Sequence, residues 1–344
     1  MTDKKWKVAV VGALGMVGSE MINTLERRDF RVQELRPLDL PKYEGTEVQF
    51  RGKNIKTLAA NKKNFKGIDV ALFSAGAAAS KSLAPQAVEQ GAVVVDNSSA
   101  WRMDPHCPLV VPEVNPHDLA WHKGIIANPN CSTIQMVVAL KPIHDRAGIN
   151  RVVVSTYQAT TGAGKKGNEG LRDESLEYLE KGSIVSPKAF QYQIAFNVLP
   201  HIDVFQGGGY TKEEYKMVNE THKIMNDESI RVTATCVRVP VFYGHSESIN
   251  LQTHKKLTVE QVMEILSQAP GVTVIDNPDK FEYPMPLMTE EHDEVLVGRI
   301  REDSTVENGL NLWVVANNVR KGAALNAVQI AEVLGERGLI GVNN

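Results

Sequence analysis

Apolar and polar positions follow two different patterns in the two parts of this chain. Residues 6–11 are almost continuously apolar, which fits a strand buried on both faces. A glycine-rich turn follows at 12–18, and a helical pattern then covers about 19–28. Strand-like runs recur at 32–39, 69–74 and 92–96 and near Ile125, with a helical run over 77–90. Such alternation indicates βαβ units, hence a parallel sheet with helices on both faces. Beyond residue 150 the pattern changes. Long strand-like runs at 151–157, 230–237, 294–300 and 309–315 have fewer helical stretches between them. That predicts a mixed or antiparallel sheet in a second, α+β domain. An apolar helical pattern over 321–334 closes the chain, and periodicity alone does not say where it packs.

Composition adds mainly exclusions. A length of 344 residues fits about two domains. The apolar fraction is 42%, the charged fraction 23% and the net charge −3, so nothing predicts binding to nucleic acid or an anionic membrane. No apolar run approaches the roughly 18 residues of a membrane span, and the start of the chain lacks the apolar core of a signal peptide. Three widely spaced cysteines, Cys107, Cys131 and Cys236, fit reduced thiols in a cytoplasm better than disulfides or a metal site. There is no internal repeat.

The candidate chemistry gathers at two places. In Asn128-Pro-Asn130-Cys131-Ser132-Thr133, the cysteine joins a short apolar run to a helix-like run starting near Ile134. Backbone N–H groups and the positive end of the helix dipole should face the sulfur and favour its thiolate. An inert buried cysteine at a strand–helix joint would read the same in isolation. The second place is the turn itself, Gly12-Ala-Leu14-Gly15-Met16-Val17-Gly18, set between a strand and a helix. Glycines at that spacing allow a tight turn, close approach to a pyrophosphate and close helix–strand packing, the Rossmann form of a dinucleotide site. A hydride carrier combined with a thiolate suggests aldehyde or acyl oxidoreduction through a thioester.

Several further motifs carry a resemblance. They are 96–102 (Asp-Asn-Ser-Ser-Ala-Trp-Arg), 110–115, Tyr157-Gln-Ala-Thr-Thr-Gly-Ala-Gly164, 209–216, Cys236-Val-Arg-Val-Pro-Val-Phe-Tyr-Gly-His245 and 311–316. With Pro129-Asn-Cys-Ser-Thr133, and in this order, they make the chain resemble the aspartate-β-semialdehyde dehydrogenases over nearly its whole length. The resemblance implies an NAD(P)-binding domain over 1–130, on which a terminal helix at 320–344 packs back. It implies a catalytic and dimerisation domain over 131–319, with a homodimer and, alternatively, a tetramer. The implied reaction is reductive dephosphorylation of L-aspartyl-4-phosphate to L-aspartate-4-semialdehyde, in lysine, threonine, methionine and isoleucine biosynthesis.

Residue roles follow from the same resemblance. Cys131 is the implied nucleophile, His245 the acid/base with an ordinary pKa suited to neutral pH, and Gln158 the group that orients the acyl carbonyl. Arg238 would clamp the substrate α-carboxylate with its planar fork. Glu213 would meet the substrate ammonium, Arg102 and Lys216 would bind phosphate, and Asn130 would steady both Cys131 and the phosphate. Gly12, Leu14, Gly15, Met16, Val17, Gly18, Thr161, Gly162 and Asn318 are implied cofactor contacts. No metal is implied. A Glu-x-x-Lys spacing on a helix is otherwise an ordinary solvated pair, and the alternative for Arg238 is a surface salt bridge.

Two departures touch the nucleotide site. The family usually has Thr where this chain has Leu14, and an Ala-Ser-x-Arg-Ser-x-Gly loop where it has Asp39-Leu-Pro-Lys42-Tyr-Glu-Gly45. Asp39 stands about 20 residues after the turn, where a carboxylate accepts from the ribose 2′-OH of NAD and repels the 2′-phosphate of NADP. The cofactor is therefore NADP or NAD, with NAD used at least as well. The alternative is that Asp39 points outward and Lys42 holds NADP. Two rival functions remain, a related acyl-phosphate or acyl-thioester reductase and a non-catalytic nucleotide-binding scaffold. Arg238 with Glu213, matched to an amino acid, argues against the first. Retention of Cys131, His245, Gln158 and Arg238 argues against the second.

Overall fold

Near-continuous apolar runs can be satisfied only by burial on both faces, and the first sheet meets that demand. The computed structural model describes residues 4–184, 186–187 and 189–341. Residues 342–344, assigned above to the terminal helix, and residues 1–3 of the first domain lie outside the described residues. The chain divides into two compact units, one of residues up to Asn130 together with those from Ala323 onward, the other Cys131–Gly322.

The first unit holds strands β1 (Trp6–Val11), β2 (Val32–Asp39), β3 (Glu47–Phe50), β4 (Lys53–Lys56), β5 (Leu58–Ala59), β6 (Val70–Phe73), β7 (Val93–Asp96) and β8 (Ile125–Ala127). Six of them form a sheet in the order β5-β2-β1-β6-β7-β8, every pair parallel. Along β1, Val8 and Val10 face one core, where they meet Met21 and Leu25 of helix α1 (Met16–Arg27). Ala9 and Val11 face the other, which contains Ala84 and Ala87 of α2 (Ala77–Glu89). Each large aliphatic buried in this way contributes roughly 1.5–3 kcal/mol. The β3–β4 hairpin turns at Arg51 and Gly52, both left-handed, and is an element the hydrophobic pattern did not signal.

The second unit is built on β9 (Ile149–Gln158), β10 (Arg231–Arg238), β11 (His245–Thr253), β12 (Val272–Val274), β13 (Val295–Asp303) and β14 (Gly309–Ala316). Their order is β10-β9-β11-β14-β13-β12. The outer pairs are parallel and the inner pairs antiparallel, so the sheet is mixed. Helices α3 (Cys131–Ala147), α5 (Lys212–Met225) and α6 (Val259–Ser267) cover one face. From Val152 to Gln158 along β9 the even-numbered residues are the more deeply buried ones, the period of a strand with one covered face. α4 (Lys165–Lys181) buries Leu171 against Ile194 and Leu199. The predicted closing helix starts later than its apolar pattern. A π-helical turn occupies Arg320–Ala324, and α7 proper runs Leu325–Glu336, with Val328 and Ala331 in the same core as α1.

Register then fixes a row. Arg238 pairs with Gln158, Glu247 with Thr156, and His245 with Ala316. Arg238, Gln158 and His245 therefore share one row at the end of the covered face. Cys236, Thr156, Glu247 and Val314 form the next row along.

Candidate active site

In the second unit, helix α3 begins at Cys131 itself, so the cysteine occupies the first helical position. It is partly exposed, whereas Cys107 and Cys236 are buried, and none of the three is in a disulfide. The π turn brings Gly322 so close that an added Cβ would lie 2.8 Å from the Cys131 Cβ. Any side chain there would push on the sulfur-bearing residue.

The row opposite is made of buried polar side chains. His245 is fully buried at the start of β11, and its Nδ1 accepts a hydrogen bond from the Ala159 backbone N–H at 3.0 Å. That bond leaves the ring proton on Nε2. Burial, reinforced by the neighbouring Arg238 charge, pulls the His245 pKa down from 6.5 to about 3. The ordinary pKa expected from sequence does not survive this environment, and the resting ring is neutral.

Gln158 is oriented from two sides. Thr156 Oγ1 donates to its Oε1 at 3.1 Å, and its Nε2 donates to Glu213 Oε1 at 3.2 Å. The 3.4 Å approach of that Nε2 to His245 Nε2 is then a contact between two donors, both free to aim at a third oxygen. Thr156 was not singled out from sequence. The two-residue strand spacing to Gln158 was its only signal.

Arg238 is buried, not a surface ion pair. Its Nη1 donates to Ala159 O at 2.7 Å, and its guanidinium lies 5.7 Å from the Phe190 ring centroid. No carboxylate among the described residues forms a salt bridge with it. Burial lowers its pKa, opposed by the charges of Glu213 and Cys131. Gly162 borders both the Arg238 guanidinium and the His245 ring.

Glu213 and Lys216, on the first turns of α5, are not a solvated pair either. Lys216 Nζ lies 2.9 Å from Glu213 Oε2 and 2.9 Å from Asp203 Oδ2, and Glu213 is buried. Burial works against the ammonium, but the two carboxylates outweigh it and hold the Lys216 pKa above its usual value. The helix start that carries them is a capping box between Thr211 and Glu214. Glu214 Oε1 also accepts from the Cys236 N–H, which pins α5 to β10. Asp203, like Glu214, was not read from sequence, although Thr211-x-x-Glu214 is a legible capping signal. Thr161 and Asn318, expected as cofactor contacts, are hydrogen-bonded to each other, and Asn318 Oδ1 accepts from Gly244 N–H beside His245.

The first unit supplies a separate set. Gly18 packs so tightly on the turn that a Cβ would sit 2.0 Å from Gly12 O. Gly15 caps α1 with no side-chain hydrogen bond, which leaves the first N–H groups, from Met16 and Val17 onward, for an anion. Asp39 faces this turn: Oδ2 accepts from Leu14 N–H at 3.0 Å and Oδ1 from Leu40 N–H at 2.8 Å. Lys42 Nζ rests 4.8 Å from the Tyr43 ring centroid. Uncapped donors, a bare glycine turn and a carboxylate at its edge fit a dinucleotide. In the same unit Arg102 is buried and donates to the carbonyls of Asn128 and Asn97, each at 2.9 Å. Asn130 is buried as well. No group of three or more metal-ligating side chains occurs among the described residues.

Known proteins resemble this chain over nearly its whole length. The family described as "Semialdehyde dehydrogenase, NAD binding domain" matches residues 7–122, and "Semialdehyde dehydrogenase, dimerisation domain" matches 140–321. The aspartate-semialdehyde dehydrogenase of Aquifex aeolicus is 60% identical over 97% of this chain and 99% of its own. The structure of aspartate semialdehyde dehydrogenase II from Vibrio cholerae complexed with ASA superposes with a TM-score of 0.94 at 48% identity, covering 97% of this chain and 99% of that one. An aspartate semialdehyde dehydrogenase with NADP from Candida albicans gives 0.76 at 27% identity, covering 98% and 100%. The chain belongs to the aspartate-semialdehyde dehydrogenase family.

Proposed function

We propose that this protein reduces L-aspartyl-4-phosphate to L-aspartate-4-semialdehyde with release of phosphate, through a thioester on Cys131. The observation that carries this reading is the buried row of Arg238, Gln158 and His245, with Glu213 beside it, in the unit whose helix α3 starts at Cys131. A buried guanidinium without a carboxylate partner suits an α-carboxylate, and buried Glu213 suits an ammonium. Together they select an amino acid.

Cys131 Sγ attacks the acyl carbon, the C–S bond forms, and the C–O bond to phosphate breaks. Arg102, Lys216 and Asn130 are assigned to phosphate. Gln158 Nε2–H and His245 Nε2–H act as donors to the acyl oxygen as charge develops on it. For His245 to trade a whole proton, negative charge on the bound substrate or thiolate has to offset the depression caused by burial and Arg238. A reduced nicotinamide, when bound by Gly12, Gly15, Gly18 and the first turn of α1, supplies the hydride that turns the thioester into the aldehyde. Collapse of the resulting oxyanion returns the Cys131 thiolate.

The cofactor is a nicotinamide nucleotide, and we assign NAD a role at least equal to NADP. Asp39 faces the glycine turn, and the Ser and Arg donors expected for a 2′-phosphate are missing. The protein works as a homodimer, with the uncovered sheet face around Tyr157 and Trp313, whose ring centroids are 5.4 Å apart, as its contact. Three cysteines outside any disulfide support a cytoplasmic location. One assay tests the whole reading, the phosphate-dependent reduction of NAD⁺ and of NADP⁺ by aspartate semialdehyde. Absence of turnover with both cofactors would refute the assignment.

A further inference from the structure

Behind the catalytic row lies a carboxyl group that the reaction does not use. Glu247 is fully buried on β11, two residues from His245 and on the same face of the strand. Neither of its oxygens meets a donor in hydrogen-bonding geometry among the described residues, no charged side chain acts on it, and the one side chain close enough to oppose the effect of burial on it is Gln135. Its neighbours are neutral: Thr156 opposite on β9, Val314 opposite on β14, and the Cys236 thiol of β10, which burial keeps protonated. The polar group that reaches it from the covering helix is Gln135 of α3. Gln135 in turn donates from Nε2 to His245 O at 3.3 Å, and its Oε1 has no partner.

A buried acceptor-only carboxylate beside an unsatisfied amide oxygen is an unstable combination, since each lacks a donor. One proton resolves both. We infer that Glu247 is a neutral carboxylic acid whose O–H donates to Gln135 Oε1, and that this pair is a positioning brace for Cys131 and His245. Burial that pushes the Glu247 pKa well above the ordinary carboxyl range is consistent with this.

The spacing explains what the brace holds. Cys131 and Gln135 are four residues apart on one face of α3, a rise of about 6 Å. His245 and Glu247 are two apart on one face of β11, about 6.6 Å. The two steps match, so a bond between the second members fixes the approach of the first members. Gln135 also holds the His245 carbonyl, so the helix that starts at the nucleophile grips the strand that starts at the histidine. This reading rests on the roles proposed for Cys131 and His245, but the protonation state of Glu247 does not.

The test separates the two. Infrared difference spectra of the whole protein at pH 8 should contain the carbonyl stretch of a protonated carboxyl that Glu247→Gln removes. No turnover is needed to see it. Glu247→Leu leaves Gln135 without a donor and should lower kcat about tenfold, with KM changed less than about twofold. Glu247→Gln keeps a neutral donor and should restore kcat with an unchanged pH profile. If Glu247→Leu fails to fold, Gln135→Met reads the same loss from the helix side. A missing carboxyl band, or a Glu247→Gln variant as slow as Glu247→Leu or displaced in pH profile, overturns the neutral acid. Full kcat in Glu247→Leu or Gln135→Met overturns the brace. Failure of Cys131 as nucleophile would appear instead as turnover surviving Cys131→Ala.

Discussion

Both units carry their chemistry at one end of a six-stranded sheet, yet they present different parts of the residue. In the first, the chain emerging from β1 offers backbone: a glycine turn and the uncapped N–H groups of α1, with Asp39 at the end of β2 facing them. In the second, β9, β10 and β11 present side chains, Gln158, Arg238 and His245, held in a row by strand register. A backbone site depends on a short local pattern. A side-chain site depends on pairings between residues tens of positions apart. The first unit can therefore survive side-chain changes around its turn away from Gly12 and Gly18, where no Cβ fits, whereas the second should fail at single atoms.

The sharpest test of that contrast is Cys131→Ala. Turnover should fall by roughly 10⁴–10⁶-fold, the scale seen when a nucleophile is removed, while nicotinamide binding measured by fluorescence stays intact. Loss of cofactor binding together with activity would mean that the two functions are not divided as proposed. Within the row, His245→Ala should lower kcat by about 10²–10⁴-fold. Arg238→Lys should instead raise KM, because an ammonium cannot make the two-pronged pair with a carboxylate. Steady-state kinetics that interchange these signatures would reverse the assignments of donor and clamp.

At the glycine turn of the first unit one side chain matters, and Asp39→Ser isolates it. Removing a carboxylate that accepts from a ribose hydroxyl should cost NAD about tenfold in kcat/KM and improve NADP, as expected for one charge-assisted hydrogen bond. A wild-type enzyme that strongly prefers NADP, and whose preference survives the change, would show that Asp39 only ties down Leu14 and Leu40.

Burial of the row also predicts a pH effect on stability. The folded His245 pKa, near 3, lies below the 6.5 of an exposed histidine. Unfolded chains therefore bind a proton that the folded state refuses between these values. Its stabilisation is complete above about pH 6.5 and is lost progressively as pH falls toward 3, by a few kcal/mol at most. Denaturant titrations of wild type and His245→Asn should diverge over that window, the variant showing the shallower decline. Equal slopes would mean that the ring takes up its proton in the folded state after all.

What was legible in the sequence follows the same division. β1, the glycine turn and α1 could be read because their signals are contiguous, and the uninterrupted valines of β7 announce a strand buried on both faces. Cys131 was legible from its place ahead of a helical run. Arg238, Gln158 and His245 were legible only through resemblance to a family, since nothing local says that β9, β10 and β11 pair in that register. Thr156, Asp203 and Glu247 were missed for the same reason. The hairpin at 47–56 was missed because its strands are short and polar, with burial limited to Phe50. The π turn at 320–324 interrupts a run that looks helical throughout, and the close contact of Gly322 with Cys131 is its structural reason.

The smallest predicted effect is the most specific to the row. Thr156 donates to Gln158 Oε1 from the row behind, so it decides which end of the amide faces the acyl oxygen. Thr156→Val keeps the shape and removes the donor. Glu213 still favours Nε2 on its own side, so the amide is loosened, not inverted. One neutral hydrogen bond is worth about 1 kcal/mol, which sets the expected loss in kcat at about fivefold, with KM nearly unchanged. Thr156→Ser, which retains the hydroxyl, should recover most of it. Equal losses in the two variants would assign the effect to packing in the second row, and an undiminished kcat in Thr156→Val would show that Glu213 alone orients Gln158.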